Sequence, residues 1–346
     1  MNDVVQNPTP LRPNYIPGSF VDREEATSKL DEFLSAGLDL VIQGPRGTGK
    51  THLVRKQLHE LDGSIASCYV PCTRYSTQYQ VLAQIYETLF GESVEDGHHT
   101  GSLQRRVEDG IGAVPLIVVL DDIDFLLLND GNDLLYFLSR LDADGSLSLV
   151  LISGSQTSFE DRLEERTYSS LYPREIALDR YSDEELFQIL ADRSRKALAP
   201  KSLRREALDH IASSVEDAGF GLCWLRTAAE KTQDVISKSA VQDAYPEAYE
   251  YYAGRLLNDF SEHHRLLYEA IVDLDEEHED NFRAGDVYQR YRKLCSSKSI
   301  TSLSNRRLSD FLKELEALDL IEAEYYYGGH TGKTREISLN EFVDLD

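Results

Sequence analysis

The sequence has few cysteines, no long apolar run and a shortage of basic residues, and each of these argues against a class of protein. Its four cysteines, Cys68, Cys72, Cys223 and Cys295, include no CxxC pair. This argues against a zinc site and favours buried thiols in a reducing cytosol. No stretch reaches the ~18–20 apolar residues that span a bilayer. The N-terminus lacks the basic flank and apolar run of a signal peptide. We therefore expect a cytoplasmic protein with no membrane partner.

The charge balance is strongly acidic. Asp and Glu number 61 against 36 Lys and Arg, a formal net charge of −25. Such a balance argues against nonspecific binding of nucleic acid at moderate salt. A surface rich in carboxylates also suits a cytoplasm of very high salt, where repulsion between charges is screened within ~3 Å at molar ionic strength. Since this second explanation stays open, the net charge does not exclude a DNA-binding protein.

The 346 residues are 41% hydrophobic, enough for two or three domains with packed cores. Residues 1–14 are polar, contain three prolines and predict a flexible arm. In residues 15–181 apolar strands alternate with helices, which predicts a parallel sheet covered on both faces. Residues 182–250 contain helical patterns only, beginning with a capping box from Ser182 to Glu185, and predict a small helical lid. Residues 255–346 show three helices followed by strand, glycine turn and strand, the order of a winged helix.

A phosphate-binding motif, "GPRGTGKT", occupies residues 44–51 between a predicted strand and a predicted helix. Its glycines let backbone N–H groups face phosphate oxygens, and the helix N-terminus adds the positive end of its dipole. Lys50 is expected to reach the β- and γ-phosphates, and the Thr51 hydroxyl to bind Mg²⁺. We expect ATP or ADP to contact Gly44, Pro45, Arg46, Gly47, Thr48, Gly49, Lys50, Thr51 and His52.

A second acidic motif follows about seventy residues later, where the apolar run "PLIVVLDDIDFLLL" (115–128) is broken by aspartates. Asp121, at the predicted strand end, is the candidate acid for the Mg²⁺ site together with Thr51. Asp122 is placed to polarise an attacking water. Asp124 lies beyond the strand, and we interpret it as a helix cap or a solvated charge.

Several segments together resemble one family. They are "YIPGSFVDREEATSKL", "GPRGTGKT", "VVLDDIDFLL", "DLLYFLSRL", "RTYSSLYPREI", "RYSDEELFQIL" and the C-terminal block. In this order they resemble the archaeal replication initiators related to eukaryotic origin-recognition and cell-division-control ATPases, of the AAA+ class. The composition favours a divergent, haloarchaeal member. The resemblance implies a P-loop ATPase core with a parallel sheet, a small helical lid and a C-terminal winged helix.

The same resemblance implies further residue roles. Ile16 and Val21 would line the adenine, and Arg166 would reach the γ-phosphate of a neighbouring subunit, where an arginine contributes orders of magnitude in rate. Without the resemblance, Arg166 would by default be interpreted as a surface arginine. Gln156 offers an amide where the family has an asparagine after the fourth strand.

Three departures from the family pattern bear on hydrolysis. Asp122 replaces a glutamate, which withdraws the carboxylate by roughly 1.5 Å, and a misplacement of ~1 Å can cost about a hundredfold in rate. Gln156 replaces asparagine but keeps the amide, so we expect this change to be mild. Gly219 occupies the position of an arginine in the lid, and Arg226, two helical turns on, is a poor substitute. We therefore expect ATP to be held tightly and hydrolysed slowly.

In a winged helix the third helix enters the major groove and the wing touches the DNA backbone. The candidate DNA contacts are Arg306, Arg307 and Lys313 on that helix, Lys333 and Arg335 on the wing, and Arg105 and Arg106 on a segment inserted in the core. For Arg105 and Arg106, a solvated helix face is the favoured alternative. Residues 255–346 nevertheless contain 12 Lys and Arg against 20 Asp and Glu, a formal charge of −8. The general electrostatic signature of a DNA-binding domain is absent, so a few arginines would have to act locally.

The favoured hypothesis is an ATP-dependent initiator that binds origin-like duplex DNA, with ATP as a slow switch, and recruits a replicative helicase or other initiator subunits, as a homo- or hetero-oligomer on DNA. A rival of another class is a protein-interaction ATPase, a helicase loader or regulator, whose winged helix docks proteins. A third hypothesis is a nucleotide-locked structural subunit without hydrolysis.

Overall fold

The computed structural model describes residues 4–61, 63–94, 99–111, 115–141, 147–277, 282–326 and 334–343. The chain divides into two compact units, Met1–Tyr245 and Pro246–Asp346. Among the described residues, no helix combines the length and the hydrophobicity needed to cross a bilayer.

The first unit is built on a five-stranded parallel sheet with the spatial order β2-β3-β4-β1-β5. Its strands are β1 (Leu40–Gln43), β2 (Ala66–Pro71), β3 (Leu116–Asp121), β4 (Leu147–Ser153) and β5 (Arg174–Ala177). β3 and β4 are buried along their whole length, as expected of strands covered on both faces. Because the strands are parallel, the loops after β1, β3 and β4 leave the sheet at the same edge.

The helices of this unit cover the sheet and form the lid. They are α1 (Glu24–Ser35), α2 (Lys50–Glu60), α3 (Gln78–Phe90), α4 (Thr100–Gly110), α5 (Asp124–Leu127), α6 (Asn132–Ser139), α7 (Phe159–Arg162), α8 (Glu165–Leu171), α9 (Asp183–Ala197), α10 (Arg205–Ser214) and α11 (Ala218–Lys231). Apolar side chains of α1 and α2 pack on β1, β3, β4 and β5 in one buried cluster. The predicted parallel sheet flanked by helices is confirmed.

The lid begins as the sequence indicated and then differs. Ser182 and Glu185 form the predicted capping box at the start of α9. The helix predicted over 222–240 ends at Lys231, and a separate helix α12 (Lys238–Leu256) follows. The break has a physical reason, because Ile236 is fully buried and its backbone bonds to Ser202 and Arg204.

The N-terminal segment also differs from the flexible arm that its prolines predict. Val4 and Leu11 are buried, and a short 3-10 helix spans Thr9–Leu11. The N–H of Gln6 donates to Ala197 O over 2.9 Å at the end of α9. These contacts attach the described part of the segment to the lid.

The second unit has a winged-helix fold. It contains α13 (Glu262–Glu277), β6 (Phe282–Arg283), α14 (Ala284–Ser297), α15 (Asn305–Ala317), β7 (Ile321–Tyr326) and β8 (Thr334–Leu339). The strands form an antiparallel sheet in the order β6-β8-β7. As the helical spacing predicted, one face of α15 is buried, with Leu308, Phe311, Leu312 and Leu315.

Candidate nucleotide and DNA sites

The phosphate loop, residues 44–49, connects β1 to α2 and depends on close approach of the surrounding chain. φ is 151° at Gly44, 80° at Gly47 and 92° at Gly49, values that L side chains rarely adopt. A Cβ at Gly44 would clash with the Leu178 carbonyl oxygen, and one at Gly47 would clash with the Asp217 carboxylate. Glycine is therefore required at both positions.

Lys50 is the first residue of α2 and folds back over the loop. Its Nζ donates to the carbonyl oxygens of Gly44 and Pro45 over 2.6 and 2.7 Å, and only 7% of the residue is exposed. Burial lowers the pKa of Lys50, which the nearby Asp122 carboxylate opposes. The fully buried Thr48 also donates to Pro45 O, over 3.0 Å. A buried cation at a helix N-terminus concentrates positive potential where an anion can bind.

Thr51 and Asp121 come from segments far apart in sequence and meet beside the loop. The Thr51 hydroxyl is 3.0 Å from both carboxylate oxygens of Asp121, which is 4% exposed at the end of β3. Asp121 also accepts from the hydroxyl of Tyr69, on β2, and from the N–H of Asp122. Tyr69 was not identified from the sequence, since nothing in the pattern of β2 distinguishes it.

Asp122 follows the end of β3 in a left-handed conformation, with φ of 51°. It is half-buried. Burial raises its pKa to about 6, the Asp121 carboxylate adds to the shift, and the cations Arg46 and Lys50 oppose it. Aspartate is among the few side chains that tolerate this backbone conformation, so the local geometry suits an aspartate at this position.

Asp124 is a buried residue of the first turn of α5, and the N-cap of that helix is Ile123. This corrects the interpretation of Asp124 as a helix cap or a solvated charge. Its carboxylate lies 2.6 Å from the Arg162 guanidinium and accepts from Ser153 Oγ and Gly154 N–H, each over 2.8 Å. The end of β3 is thereby joined to the end of β4. The buried polar side chain at that strand end is Ser153, whereas Gln156 lies exposed in the following loop.

Arg166 lies in the first turn of α8 at the surface, with 54% of its side chain exposed. Its guanidinium bonds to Glu164 and Asp133, each over 2.8 Å, and lies 5.2 Å from the Tyr136 ring. Glu164 raises the pKa of Arg166. Surface ion pairs of this kind contribute little stability, so the side chain is able to exchange partners.

The segment expected to line the adenine places Ile16 and Val21 in half-buried positions. Next to them the sequence analysis missed Arg23, which is 7% exposed and donates to the Thr48 carbonyl oxygen over 3.3 Å. His52 contacts the N-terminal segment, with Nε2 2.8 Å from Pro13 O. Arg23 carries no motif of its own, since an arginine before a helix is ordinarily at the surface.

The lid approaches the phosphate loop through the start of α11. Asp217 caps this helix by accepting from the N–H groups of Gly219 and Phe220 over 2.6 and 3.2 Å. Arg226 pairs with Glu230 on the same helix over 2.7 Å. Residues 217–220 are Asp, Ala, Gly and Phe, so this turn offers no cationic side chain to a phosphate.

These residues fit a magnesium nucleotide. The buried Lys50 ammonium and the start of α2 provide charge for phosphates, and the loop conformation excludes side chains at Gly44 and Gly47. The Thr51 hydroxyl and the Asp121 carboxylate beside them are oxygen ligands of the type that Mg²⁺ prefers. Among the described residues, no group of three or more His, Cys, Asp or Glu side chains is arranged to hold a metal, and all four cysteines are buried free thiols.

The cations expected to contact DNA lie in several environments. Arg306 and Arg307 are exposed in the first turn of α15, which Ser304 caps. Lys313 is half-buried and pairs with Asp310 over 3.2 Å. In the first unit, Arg105 and Arg106 are exposed on α4, with Arg106 Nη1 donating to the Tyr86 hydroxyl over 3.1 Å.

The wing residues differ from one another. Arg335 is half-buried on β8, on the same strand face as the buried Ile337. Burial raises the pKa of Glu316, on α15, and of Tyr288, on α14. The positive charge of Arg335 lowers both pKa values in part, so Arg335 lies close to these two helices. Lys333 lies outside the described residues.

Both parts of the chain match known families. Residues 37–163 match the family described as an AAA domain, and residues 255–344 match the family described as "CDC6, C terminal winged helix domain". The chain is 31% identical over 363 residues to ORC1-type DNA replication protein 1 of Sulfurisphaera tokodaii, covering 97% of this chain and 90% of the relative. It is also 31% identical over 354 residues to ORC1-type DNA replication protein 1 of Methanothermobacter thermautotrophicus, covering 94% and 90%.

A solved structure supports the same assignment. The Aeropyrum pernix ORC1 protein, determined in complex with DNA, superposes with a TM-score of 0.78 at 27% identity. The match covers 99% of this chain and 95% of the Aeropyrum chain. The core, the lid and the winged helix therefore occur in the same order in both proteins.

Proposed function

The chain belongs to the family of ORC1-type DNA replication proteins, and from this premise we propose that it is an ATP-dependent replication initiator. In this role it binds origin-like duplex DNA and nucleates assembly of the replication machinery. The observation that carries the proposal is the fold shared along 99% of the chain with an ORC1 protein in complex with DNA. That complex favours DNA over another protein as the ligand of the winged helix.

ATP or ADP is held at the carboxyl edge of the sheet. Lys50 and the loop bind the phosphates, with Pro45, Arg46, Thr48 and His52 around them, and Ile16 and Val21 line the adenine. Mg²⁺, if bound with the nucleotide, would neutralise phosphate charge. Thr51 and Asp121 would hold it.

Hydrolysis depends on residues around this core. In this proposal Asp122 would orient the attacking water and Gln156 would offer its amide from the loop after β4. The exposed Arg166 would reach the nucleotide of a neighbouring subunit. Since the water-orienting acid is one methylene short, turnover is slow and ATP acts as a switch. Turnover in the ordinary range of ~1–100 s⁻¹ would contradict this part of the proposal.

DNA binding rests on a few exposed cations, because the second unit is acidic overall. Arg306 and Arg307 at the start of α15 enter or flank the major groove, and Lys313 lies one to two turns further along. Lys333 and Arg335 supply the wing, and Arg105 and Arg106 supply a second contact from the first unit. Partner subunits and a replicative helicase assemble on the bound complex.

The DNA role is tested by genome-wide mapping of the protein, combined with binding to duplex DNA from the mapped sites at high salt. We expect enrichment at a small number of intergenic sites and tighter binding to those duplexes than to unrelated DNA. Uniform distribution, with no preference for any duplex, would favour the protein-docking ATPase instead.

The nucleotide role is tested by Lys50→Ala. Charge-assisted hydrogen bonds contribute ~1.5–3 kcal/mol each, so we expect ATP and ADP affinity to fall by at least about a hundredfold. The matched control is Lys56→Ala, on the same helix, where the side chain pairs with Glu60 over 2.8 Å away from the loop. Unchanged nucleotide affinity in Lys50→Ala would contradict the assignment of the loop.

A further inference from the structure

Arg23 is buried where two functional segments of the first unit meet. Its Nε donates to Thr48 O over 3.3 Å, and its Nη2 donates to Asp179 O over 2.8 Å. Thr48 belongs to the phosphate loop, and Asp179 belongs to the linker between β5 and α9. One guanidinium therefore joins the loop that is expected to hold phosphates to the linker that leads into the lid.

The linker follows the outside of the phosphate loop. The Leu178 carbonyl packs against Gly44, and a Cβ at Gly49 would lie 3.0 Å from the Tyr181 hydroxyl. The Tyr181 ring is 7% exposed and stacks on Arg23, with the guanidinium carbon 4.0 Å from the ring centroid. The next residue, Ser182, caps α9. The loop and the first turn of the lid are thus joined through contacts of Leu178, Tyr181 and Arg23.

The orientation of the Thr48 carbonyl is expected to depend on whether phosphates are bound. It shares one rigid peptide plane with the N–H of Gly49, so the two groups rotate together. That N–H is one of the loop amides expected to face a phosphate. Turning it toward an anion reorients the carbonyl to which Arg23 is bonded, and Arg23 is bonded in turn to the linker.

We propose that Arg23 is a positioning residue that transmits occupancy of the phosphate loop to the lid through the linker 178–182. The inference rests on the proposed nucleotide site and adds the route by which that site controls the lid. The start of α11 faces the loop with the Asp217 carboxylate, which repels a phosphate. The cationic contact between loop and linker is supplied by Arg23.

The experiment is hydrogen exchange of the full chain, with and without ADP and Mg²⁺, read by mass spectrometry. In the unaltered protein, we expect ADP to slow exchange at least about fivefold in peptides of the loop and in peptides covering 178–197. In Arg23→Ala, at an ADP concentration that saturates the variant, the loop stays protected and the 178–197 peptides change less than about twofold.

Three further variants make the result specific. Arg195→Ala, which removes a 76% exposed arginine from α9, should behave as the unaltered protein. Arg23→Lys keeps the charge but loses the planar fork and its stacking, so it should restore only part of the lid protection. Tyr181→Leu keeps an apolar side chain in place while removing the ring, and it should repeat the loss even if Arg23→Ala does not fold.

Two results would overturn the inference. One is lid protection in Arg23→Ala and Tyr181→Leu equal to that of the unaltered protein at matched saturation. The other is protection of the loop alone in the unaltered protein. Absence of ADP binding by the unaltered protein is a separate failure, since it would overturn the proposed nucleotide site itself.

Discussion

At the level of single residues, hydrogen bonds fix the side chain of Asp121, the acid that we propose for a Mg²⁺ site. Asp121 has three hydrogen-bond donors around it: the Thr51 hydroxyl, the Asp122 N–H and the Tyr69 hydroxyl. Burial and the Asp121 carboxylate raise the pKa of Tyr69, so its hydroxyl remains a donor at any working pH. Tyr69 thus orients the Asp121 carboxylate from outside the proposed Mg²⁺ site.

The change Tyr69→Phe should therefore weaken Mg²⁺ binding more than nucleotide binding. Loss of a group that orients a metal ligand typically costs about 10–100-fold in metal affinity. We expect the Mg²⁺ concentration for half-maximal tight binding of a fluorescent ADP to rise by that factor, with metal-free affinity unchanged. Tyr79→Phe, at a 37% exposed tyrosine on α3, is the control. Identical Mg²⁺ titrations for both variants would exclude the role given to Tyr69.

Asp122 allows a test by gain of function. Asp122→Glu lengthens the acid proposed to orient water by one methylene, and a shift of ~1 Å in a catalytic group can change the rate by about a hundredfold. We expect faster ATP hydrolysis with unchanged ATP affinity. The new residue must adopt φ of 51°, so some loss of stability should accompany the gain.

The matched control for that strain is Asp130→Glu, at an exposed residue with φ of 61° outside the site. It should lower the midpoint of thermal unfolding by a similar amount and leave hydrolysis unchanged. A rate in Asp122→Glu no higher than in the unaltered protein would show that the short side chain is not what limits turnover.

Among the helices and strands, the elements predicted from the sequence are those specified by neighbouring residues. Continuous apolar runs predicted β3 and β4, the Ser182 capping box predicted the start of α9, and helical spacing predicted the buried face of α15. Each of these patterns lies within one element. The phosphate loop and Lys50 could also be predicted from the sequence, because their motif is contiguous.

The contacts that could not be predicted join residues far apart in the chain. Arg23 and Thr48 are 25 residues apart, and Tyr69 and Asp121 are 52 apart. Arg162, on α7 after β4, forms an ion pair with Asp124, on α5 after β3. No local pattern encodes these pairs, because they depend on the strand order and on which strands neighbour each other. The positions of supporting residues follow from the fold, whereas those of the loop follow from the sequence.

The start of α15 is the helix segment that we propose contacts DNA. Since Arg306 and Arg307 are exposed beside the helix N-terminus, replacing both with alanine should weaken duplex binding. If both touch phosphates, the slope of log affinity against log salt should fall by about 2. Lys298→Ala is the control, because that lysine is held by Glu269 over 2.6 Å. Equal salt slopes in all three proteins would remove α15 from the DNA interface.

Arg335 calls for a separate measurement. It is half-buried and close to Glu316, so Arg335→Ala is expected to lower the stability of the second unit as well as any DNA affinity. The thermal unfolding midpoint of Arg335→Ala should therefore be measured together with its DNA affinity, to separate a loss of stability from a loss of a DNA contact.

For the molecule as a whole, the dominant feature is the net charge of −25. Excess charge of one sign destabilises a compact state through self-repulsion. The range of that repulsion falls from ≈ 10 Å at 0.1 M salt to ≈ 3 Å at 1 M. A protein with such a surface is expected to be more stable where salt is concentrated. Concentrated salt also screens the repulsion between the acidic surface and DNA phosphates, which allows a few local arginines to approach DNA.

We therefore expect the thermal unfolding midpoint to rise by several degrees between 0.1 and 1 M KCl. For a domain of 150–250 residues, about 1 kcal/mol moves the midpoint by ~2–4 °C. Calorimetry is the suitable measurement, because a chain of two compact units can unfold in more than one transition. Sucrose at the same osmolality is the control, since it stabilises by exclusion without screening charge. A midpoint that stays constant or falls as KCl increases would show that self-repulsion is not what limits stability, and the composition would need an explanation other than a salt-rich cytoplasm.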